Sequence, residues 1–185
     1  HAVSVGETLA AAPLVRALQE QYPQHRLLVT CMTPTGSERI QAVFGDSVVH
    51  CYAPYDMPDA LSRFLATVNP EILIIMETEL WPNTIAACHR RNIPVVLANA
   101  RLSQKSALGY SRVKPLVKPM LESMTAVVAQ HHDDGARFVD LGLPDSRLSI
   151  SGNIKFDLTL DAPLKQYAQQ LGTQWRGAEG RLIWL

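Results

Sequence analysis

Short apolar runs alternate with segments of helical spacing along this chain, and no other feature of the sequence constrains its fold as strongly. The apolar runs predict strands at residues 27–32, 48–52, 72–76, 95–98, 126–129 and 148–151. The helical segments fall at residues 8–22, 38–44, 58–68, 82–91, 106–124 and 134–141. Pro115 and Pro119 interrupt the segment at 106–124, so we expect that helix to be kinked or split. Such alternation predicts an α/β fold, with a parallel sheet and helices on both faces.

Charged and amide side chains recur just after the predicted strands. Right-handed crossovers place all strand-to-helix loops of a parallel sheet at the same edge, where open α/β sheets bind ligands. Glu7 belongs with them, because the opening residues resemble the end of a strand and a helix is predicted to begin at Thr8. We therefore expect one group at this edge: Glu7, Glu77, Glu79, Asn99, Arg101, Asn153 and Lys155.

The composition excludes several classes of function. The chain carries 17 basic and 17 acidic side chains, so no basic field suggests a nucleic-acid partner. The longest aliphatic stretch, residues 72–76, is far too short to cross a bilayer. Cys31, Cys51 and Cys88 are widely spaced and indicate reduced thiols in a cytosolic compartment. The histidines and aspartates at residues 131–134 are interpreted as a polar helix start. We expect neither a metal nor a cofactor.

Both ends of the chain suggest that it is the N-terminal part of a larger protein. Residues 1–160 are predicted to form one α/β domain, truncated at its start. Residues 161–185 are predicted to be a linker and the first strand of a second domain, because the apolar run at 181–185 follows a polar stretch that contains glycine.

The turn before the first helix combines Ser4, Gly6 and Glu7. Gly6 permits close backbone approach, and the positive end of the helix favours an ionised Glu7 and an anionic ligand. The same residues are equally consistent with a Glu7 that only stabilises the first turn of the helix.

A second turn offers hydroxyls and amides from Thr33, Thr35 and Gly36 after a predicted strand. It is a candidate site for a phosphate or a sugar, but it lacks the lysine and the spacing of a P-loop. It is also consistent with a plain capping turn in which Ser37 is the N-cap.

Two carboxylates, Glu77 and Glu79, follow a strand rich in isoleucine, which is an unfavourable place for charge unless a partner lies nearby. Arg101 can bind a carboxylate or phosphate through two parallel hydrogen bonds, or it can pair with either glutamate. Lys155, next to Asn153 in the chain, is a candidate to stabilise developing negative charge, although a lone lysine after a strand is usually solvated.

Five segments together closely resemble the bacterial Kdo transferase family, the 3-deoxy-D-manno-octulosonic acid transferases of lipopolysaccharide assembly. They are HAVSVGE (residues 1–7), MTPTGSE (32–38), METELWPN (76–83), ANARLS (98–103) and GNIKFD (152–157). The likeness is specific because these motifs are long, occur in order and span almost the whole chain.

The resemblance implies a GT-B glycosyltransferase, in which two Rossmann-like halves face each other across a cleft. This chain would be the N-terminal, acceptor-side half. The implied reaction moves Kdo from CMP-Kdo, bound mainly by the other half, to a hydroxyl of the lipid A precursor, with inversion and without a metal. It further implies attachment to a membrane surface at the cytoplasmic face of the bacterial inner membrane. Glu7 would be the general base, and Glu77 and Lys155 would stabilise the transition state.

Two other functions remain open at this stage. One is another GT-B enzyme of lipid or cell-wall synthesis, and the other is a non-catalytic α/β module that binds an anionic metabolite. The lack of a complete phosphate-binding glycine fingerprint counts against nucleotide binding by this half. The chain alone, without a donor half, is expected to be inactive.

Overall fold

The computed structural model describes residues 1–157 and, beyond them, only the single positions Gln166 and Gln170. The predicted linker and strand at residues 161–185 therefore fall, apart from those two positions, outside the described residues. Helices and strands alternate in the predicted order. The strands are β1 (Leu28–Cys31), β2 (Val49–Tyr52), β3 (Leu73–Met76), β4 (Val95–Ala100), β5 (Ala126–Ala129) and β6 (Leu148–Ile150). The helices are α1 (Val5–Gln21), α2 (Pro34–Phe44), α3 (Pro58–Val68), α4 (Pro82–Arg90), α5 (Gln104–Ser111), α6 (Lys114–Glu122) and α7 (His132–Leu141), and a 3₁₀ turn (Ile154–Asp157) follows β6.

All strand pairs among the described residues are parallel, as predicted. β1 pairs with β2, and β3, β4, β5 and β6 pair in that order. The opening residues join the two groups of strands, because the Ala2 N–H donates to the Thr30 carbonyl and the Met76 N–H donates to the His1 carbonyl. Residues 1 and 2 thus lie between β1 and β3, as the end of a strand would, and α1 starts at the carboxyl edge of the sheet.

Helices cover both faces of the sheet. Successive strand residues point to opposite faces, so neighbouring residues that enter different cores reveal two covered faces. Ile75 and Leu97 belong to a core shared with α3, α4, α6 and α7, whereas Met76 and Ala98 contact a second core formed with α1 and α2. The predicted α/β class, with helices on both faces of a parallel sheet, is therefore confirmed.

One strand boundary differs from the prediction, and the expected interruption of the helix at 106–124 is confirmed. β4 continues to Ala100, so Asn99 lies inside the strand rather than after it. The predicted helix at 106–124 is split into α5 and α6, with Pro115 in the first turn of α6 and Pro119 inside that helix. Pro115 suits a first turn, where its missing N–H has no intrahelical partner to lose.

The start of α2 also differs from the prediction. α2 begins at Pro34 rather than at residue 38, and its N-cap is Thr33, whose side-chain oxygen accepts from the Gly36 N–H at 3.1 Å. Ser37, which was expected to cap the helix, lies inside it and contacts His50 Nε2 through its hydroxyl at 2.8 Å. A threonine followed by proline is itself a strong helix-start signal, and it acts here one turn earlier than the apolar pattern indicates.

A helix that spans a membrane must be long and continuously apolar. Within the part of the chain that the structure describes, none of the helices meets that requirement.

Candidate active site

The carboxyl edge of the sheet carries two residues with unusual backbone conformations. Glu77, directly after β3, has φ +58°, and Asn99, in the neighbouring β4, has φ +53°. Their strands are joined at this point, because the Glu77 N–H donates to the Ala98 carbonyl at 2.9 Å. Left-handed φ values are uncommon outside glycine, and such strained residues cluster at functional sites. The edge that sequence reasoning selected therefore carries two of the four non-glycine residues with positive φ among the described residues, the others being Asn69 and Asn92.

Glu7 lies in the first turn of α1 and its carboxylate folds back on the chain before the helix. Oε1 accepts from the Ser4 hydroxyl and Oε2 accepts from the Val3 N–H, each at 2.8 Å, while Ser4 Oγ accepts from the Glu7 N–H at 3.3 Å. This reciprocal arrangement resembles a capping box, and it explains why α1 begins at Val5 rather than at Thr8. The helix-stabilising interpretation of Glu7 is thus correct, yet each carboxylate oxygen keeps a lone pair for a further partner.

Lys155 is paired rather than free. Its Nζ lies 3.1 Å from Glu77 Oε1, and its backbone N–H donates to Asn153 Oδ1 at 3.0 Å. The 3₁₀ turn that carries it is joined to β4, because the Ile154 N–H donates to Asn99 Oδ1 at 3.1 Å. The structure therefore brings four of the predicted residues together, namely Glu77, Asn99, Asn153 and Lys155.

Glu79 connects this cluster to Glu7. Burial raises the pKa of Glu79 above its usual range, the charge of Glu7 adds to the increase, the Trp81 side chain opposes it, and Glu77 contributes a smaller increase. Glu7, Glu77 and Glu79 therefore lie close enough for their charges to interact. Carboxylates gathered in this way favour a cationic partner or a shared proton.

Arg101 does not join the carboxylates. Its side chain is exposed, and Glu77 forms its ion pair with Lys155 instead. Its backbone does belong to the edge, since the Thr78 hydroxyl donates to the Arg101 carbonyl. The predicted ion pair of Arg101 with Glu77 or Glu79 is therefore absent from the described structure, and the guanidinium points to solvent.

The second predicted turn packs beside the first. The Thr33 hydroxyl donates to the Val3 carbonyl at 3.2 Å, so the starts of α1 and α2 are adjacent. A Cβ added to Gly36 would lie 2.9 Å from Thr33 Oγ1 and 3.1 Å from the Val3 oxygen, which explains the glycine. Gly6 and Thr35 are both exposed in the first turns of their helices. The starts of the two helices thus lie side by side, and helix N-termini suit an anionic or hydroxyl-bearing ligand.

Sequence reasoning missed several residues that shape this edge. Burial, together with the charge of Glu79, raises the pKa of Tyr110 in α5. The indole N–H of Trp81 is buried and makes no hydrogen bond of ordinary geometry in the described structure, although it lies close enough to Glu79 to lower the pKa of that carboxyl. Tyr110 lies in a helix without a motif, so only the folded chain reveals that it faces Glu79. The unusual Trp-Pro pair after Glu79 was the one available signal for Trp81.

Two aspartates, the buried Asp134 and the half-buried Asp56, hold the loops in place. Asp134 accepts from the Leu102 N–H at 2.9 Å, and the Arg137 guanidinium donates to the Leu102 carbonyl at 3.0 Å, which fixes the chain beside Arg101. Asp134 lies in the first turn of α7, in agreement with the polar helix start that was predicted there. Asp56, before α3, accepts from the N–H groups at the start of α4, next to the Glu77–Trp81 loop.

Similarity to solved structures identifies the class of this fold. A UDP-GlcNAc 2-epimerase from Neisseria meningitidis, solved with UDP-GlcNAc bound, matches with a TM-score of 0.62 and 14% identity over 93% of this chain and 49% of that chain. Another UDP-N-acetylglucosamine 2-epimerase matches with a TM-score of 0.63 and 14% identity over 89% of this chain and 52% of that chain. At this identity the likeness concerns the fold alone, and it defines the chain as the Rossmann-like N-terminal half of a GT-B protein.

Sequence comparison then identifies the family. Residues 1–158 match the family described as 3-deoxy-D-manno-octulosonic-acid transferase (kdotransferase). The 3-deoxy-D-manno-octulosonic acid transferase of Haemophilus influenzae is 47% identical over 100% of this chain and 43% of that protein. The enzyme of the same name from Bordetella pertussis is 36% identical over 99% of this chain and 42% of that protein. The chain belongs to the 3-deoxy-D-manno-octulosonic acid (Kdo) transferase family, and it spans less than half the length of these relatives.

Proposed function

We propose that the protein to which this chain belongs transfers Kdo from CMP-Kdo to a hydroxyl of the lipid A precursor, with inversion, in lipopolysaccharide biosynthesis. This chain supplies the acceptor side, and the donor is bound mainly by a second domain. Family membership supports the sugar that is transferred. The structural observation that carries the proposal is the gathering of Glu7, Glu77, Glu79 and Lys155 at one edge of the sheet.

Glu7 acts as the general base in this proposal. A sugar hydroxyl becomes a strong nucleophile only as its proton leaves, and a carboxylate within hydrogen-bond reach can accept that proton. The Ser4 hydroxyl and the Val3 N–H fix the orientation of the Glu7 carboxylate before the acceptor arrives. As the hydroxyl oxygen bonds to the anomeric carbon of Kdo, its proton passes to Glu7 and CMP departs with the electron pair of the broken bond.

Lys155 and Glu77 act as a pair on the charges of the transition state. CMP and the Kdo carboxylate are anionic, so a fixed ammonium group stabilises charge that develops on them. The contact of 3.1 Å between Lys155 Nζ and Glu77 Oε1 supports a role for Glu77 in orienting the lysine, beside a role in stabilising positive character at the anomeric carbon.

The remaining edge residues are proposed to bind the substrates. Helix N-termini favour anions, and exposed guanidinium groups bind phosphates or carboxylates. Lipid A precursors carry hydroxyl and phosphate groups that such donors recognise. The proposed set is Ser4, Gly6, Thr33, Thr35, Gly36, Glu79, Asn99, Arg101 and Asn153.

Reaction at the cytoplasmic face of the bacterial inner membrane is part of the same proposal. Its support in this chain is the α5–α6 surface, defined by the exposed apolar residues Leu108, Val113 and Leu116 and the basic residues Lys105, Arg112 and Lys114. Exposed apolar groups among lysine and arginine suit a bilayer surface that contains anionic lipids. Tyr110 of α5 lies near Glu79, so a membrane at this surface would be close to the carboxylates.

The direct test is an assay of the full-length protein with CMP-Kdo and a lipid A precursor. We expect product with this donor and none with other nucleotide sugars. Turnover with a different donor would favour another GT-B enzyme of lipid or cell-wall synthesis. Binding of an anionic metabolite without any turnover would favour a non-catalytic module.

A further inference from the structure

Asn99 has a backbone conformation that the surrounding chain holds in place. Its φ is +53°, it is only 3% exposed, and it lies at an irregular point of β4 where the register with β5 shifts. The Gln130 side-chain amide donates to the Asn99 carbonyl at 3.0 Å in a buried environment. Asparagine tolerates left-handed φ better than most residues, but a strand interior does not require it. The fold therefore maintains this conformation at some cost.

The two ends of the Asn99 amide have different partners. The Ile154 N–H donates to one end at 3.1 Å, and because that group is a donor, the atom that receives it must be Oδ1. Nδ2 is therefore the other end, and it is buried without a hydrogen-bond partner among the described residues. A buried donor left unpaired is costly, and buried polar groups in proteins are nearly always paired. An acceptor atom of a ligand would satisfy it.

The Oδ1 contact joins the sheet to the turn that carries Lys155. Inside the turn, the Lys155 and Phe156 N–H groups donate to Asn153. These contacts hold the turn together but do not place it relative to the sheet. The hydrogen bond from Ile154 to Asn99 supplies that link, and the Lys155 ammonium group reaches Glu77 on the next strand.

A purely structural anchor does not account for both features. A side chain that was needed only to accept the Ile154 N–H would not have to carry a donor group as well. Asparagine instead keeps a buried N–H without a partner, beside a strained backbone. The arrangement suggests that the second half of the amide has a use when substrate is present.

We propose that Asn99 is a positioning residue for Lys155, and that its Nδ2–H group donates to an anionic or hydroxyl oxygen of the bound substrate. This rests on the proposed function, because it assumes that Lys155 takes part in Kdo transfer. Asn99 Oδ1, through the Ile154 N–H, fixes the position of Lys155 relative to Glu77. Asn99 Nδ2 donates to the substrate next to Lys155.

Three variants of the full-length enzyme separate the role of Asn99 Oδ1 from the role of Asn99 Nδ2. Asn99→Gly keeps the left-handed backbone and removes both contacts, so kcat should fall on the order of 10²-fold, the cost of a small misplacement of a reacting group. Asn99→Asp keeps the acceptor and loses the donor, so it should restore most of kcat and raise KM. Asn92→Gly is the matched control, since Asn92 has φ +57° and is exposed away from this edge, and its kinetics should not change.

The position of Lys155 can be read without measuring turnover. Acylation by an amine-reactive reagent, followed by mass spectrometry of the Lys155 peptide, reports how well Glu77 and the turn protect Nζ. We expect faster acylation in Asn99→Gly and unchanged acylation in Asn99→Asp and Asn92→Gly. Unchanged acylation in Asn99→Gly would overturn the positioning role, and an unaltered KM in Asn99→Asp would overturn the substrate contact.

Lys155→Met separates failure of this inference from failure of the proposed function. If Asn99 acts through Lys155, then Asn99→Gly should lower kcat little further in the Lys155→Met background, because the two changes are coupled. Independent, multiplicative losses would reject the positioning role and leave the function intact. Near-normal turnover of Lys155→Met alone would instead reject the role of Lys155 in the proposed mechanism.

Discussion

Glu7 contacts the residues that cap α1 and is also the proposed general base. Its two oxygens accept from Ser4 and Val3, and both donors belong to the chain just before α1. In the full-length enzyme, Glu7→Gln should fold and lose about 10²-fold or more in kcat, because a neutral amide cannot take the acceptor proton. Glu20→Gln, an exposed change in the same helix, is the control and should leave kcat unaltered. A folded Glu7→Gln enzyme with near-normal turnover would rule out Glu7 as the base.

Glu79 makes a testable contribution to the pH dependence of stability. Its pKa is raised on folding by burial and by the charge of Glu7. An ionised Glu79 therefore destabilises the folded chain at pH values above its folded-state pKa, and this penalty disappears as the pH falls below its ordinary value. Glu79→Gln should raise the melting temperature at pH 8, with a smaller gain at pH 5. Thermal unfolding at the two pH values measures these melting temperatures, and Glu38→Gln, a change at an exposed residue, is the control. An equal gain in melting temperature for Glu79→Gln at pH 8 and pH 5 would contradict the prediction.

The residues of the edge could be predicted from the sequence only in part. Polar side chains after apolar runs indicated which residues belong to the edge, because parallel strands end on the same side. The partners of those side chains could not be predicted in this way. The pairing of Lys155 with Glu77 depends on the turn after β6, and the approach of Tyr110 to Glu79 depends on the packing of α5. Contacts between residues distant in sequence leave no local pattern.

At the scale of elements, a loop residue caps α4, a helix whose own N-cap residue makes no side-chain hydrogen bond. Trp81, the N-cap residue of α4, provides no side-chain hydrogen bond, and Asp56 takes its place. The Asp56 carboxylate accepts from the Asn83 N–H at 3.1 Å, the Thr84 N–H at 2.7 Å and the Thr84 hydroxyl at 2.7 Å. The loop before α3 is thereby tied to the start of α4, directly after the two carboxylates of the edge.

Removal of this cap should destabilise the protein measurably. We expect Asp56→Ala to cost about 1–2 kcal/mol, the usual effect of losing an N-cap, and to lower the urea midpoint of unfolding. Asp59→Ala is the matched control, because the Asp59 carboxylate is exposed and contacts only Arg63 among the described residues, at 3.4 Å, one helical turn away. Equal midpoints for the two variants would show that Asp56 is not an effective cap.

The α5–α6 surface makes a separate prediction. Leu116 is 76% exposed, and Leu116→Glu should weaken binding of the protein to vesicles that contain anionic phospholipid, because it removes apolar contact and adds repulsion. Sedimentation with vesicles measures this binding. Tyr22→Glu changes an exposed residue after α1, 51% exposed and away from this surface, and should bind as the unchanged protein does. An equal loss of vesicle binding in both variants would argue against the α5–α6 surface as the membrane-binding surface.

Most elements could be predicted because buried strands and amphipathic helices have strong local patterns. The predicted bounds of α3 and β5 agree with the structure at both ends. The largest errors lie at the starts of α1 and α2, where a single hydrogen bond accepted by Ser4 or Thr33 adds three or four residues. A capping side chain acts through geometry rather than hydrophobicity, so a pattern of apolar residues underestimates the helix.

At the scale of the molecule, the described residues form one half of a GT-B arrangement. In the proposed function the donor is bound mainly by a second domain, and on that basis we expect the 185-residue chain alone to show no Kdo transfer. The same assay on the full-length protein is the positive control. Transfer by the isolated chain would mean that the donor is bound within residues 1–185.

The left-handed conformations of Glu77 and Asn99 have a consequence for ligand affinity. Both unfavourable backbone states are reached while the chain folds, and their cost is carried by global stability. If a sugar binds here as proposed, it meets a pre-organised edge, and little of its binding energy is consumed in ordering these groups. Because these residues are already ordered in the folded chain, ligand binding costs less conformational entropy than it would at a flexible edge.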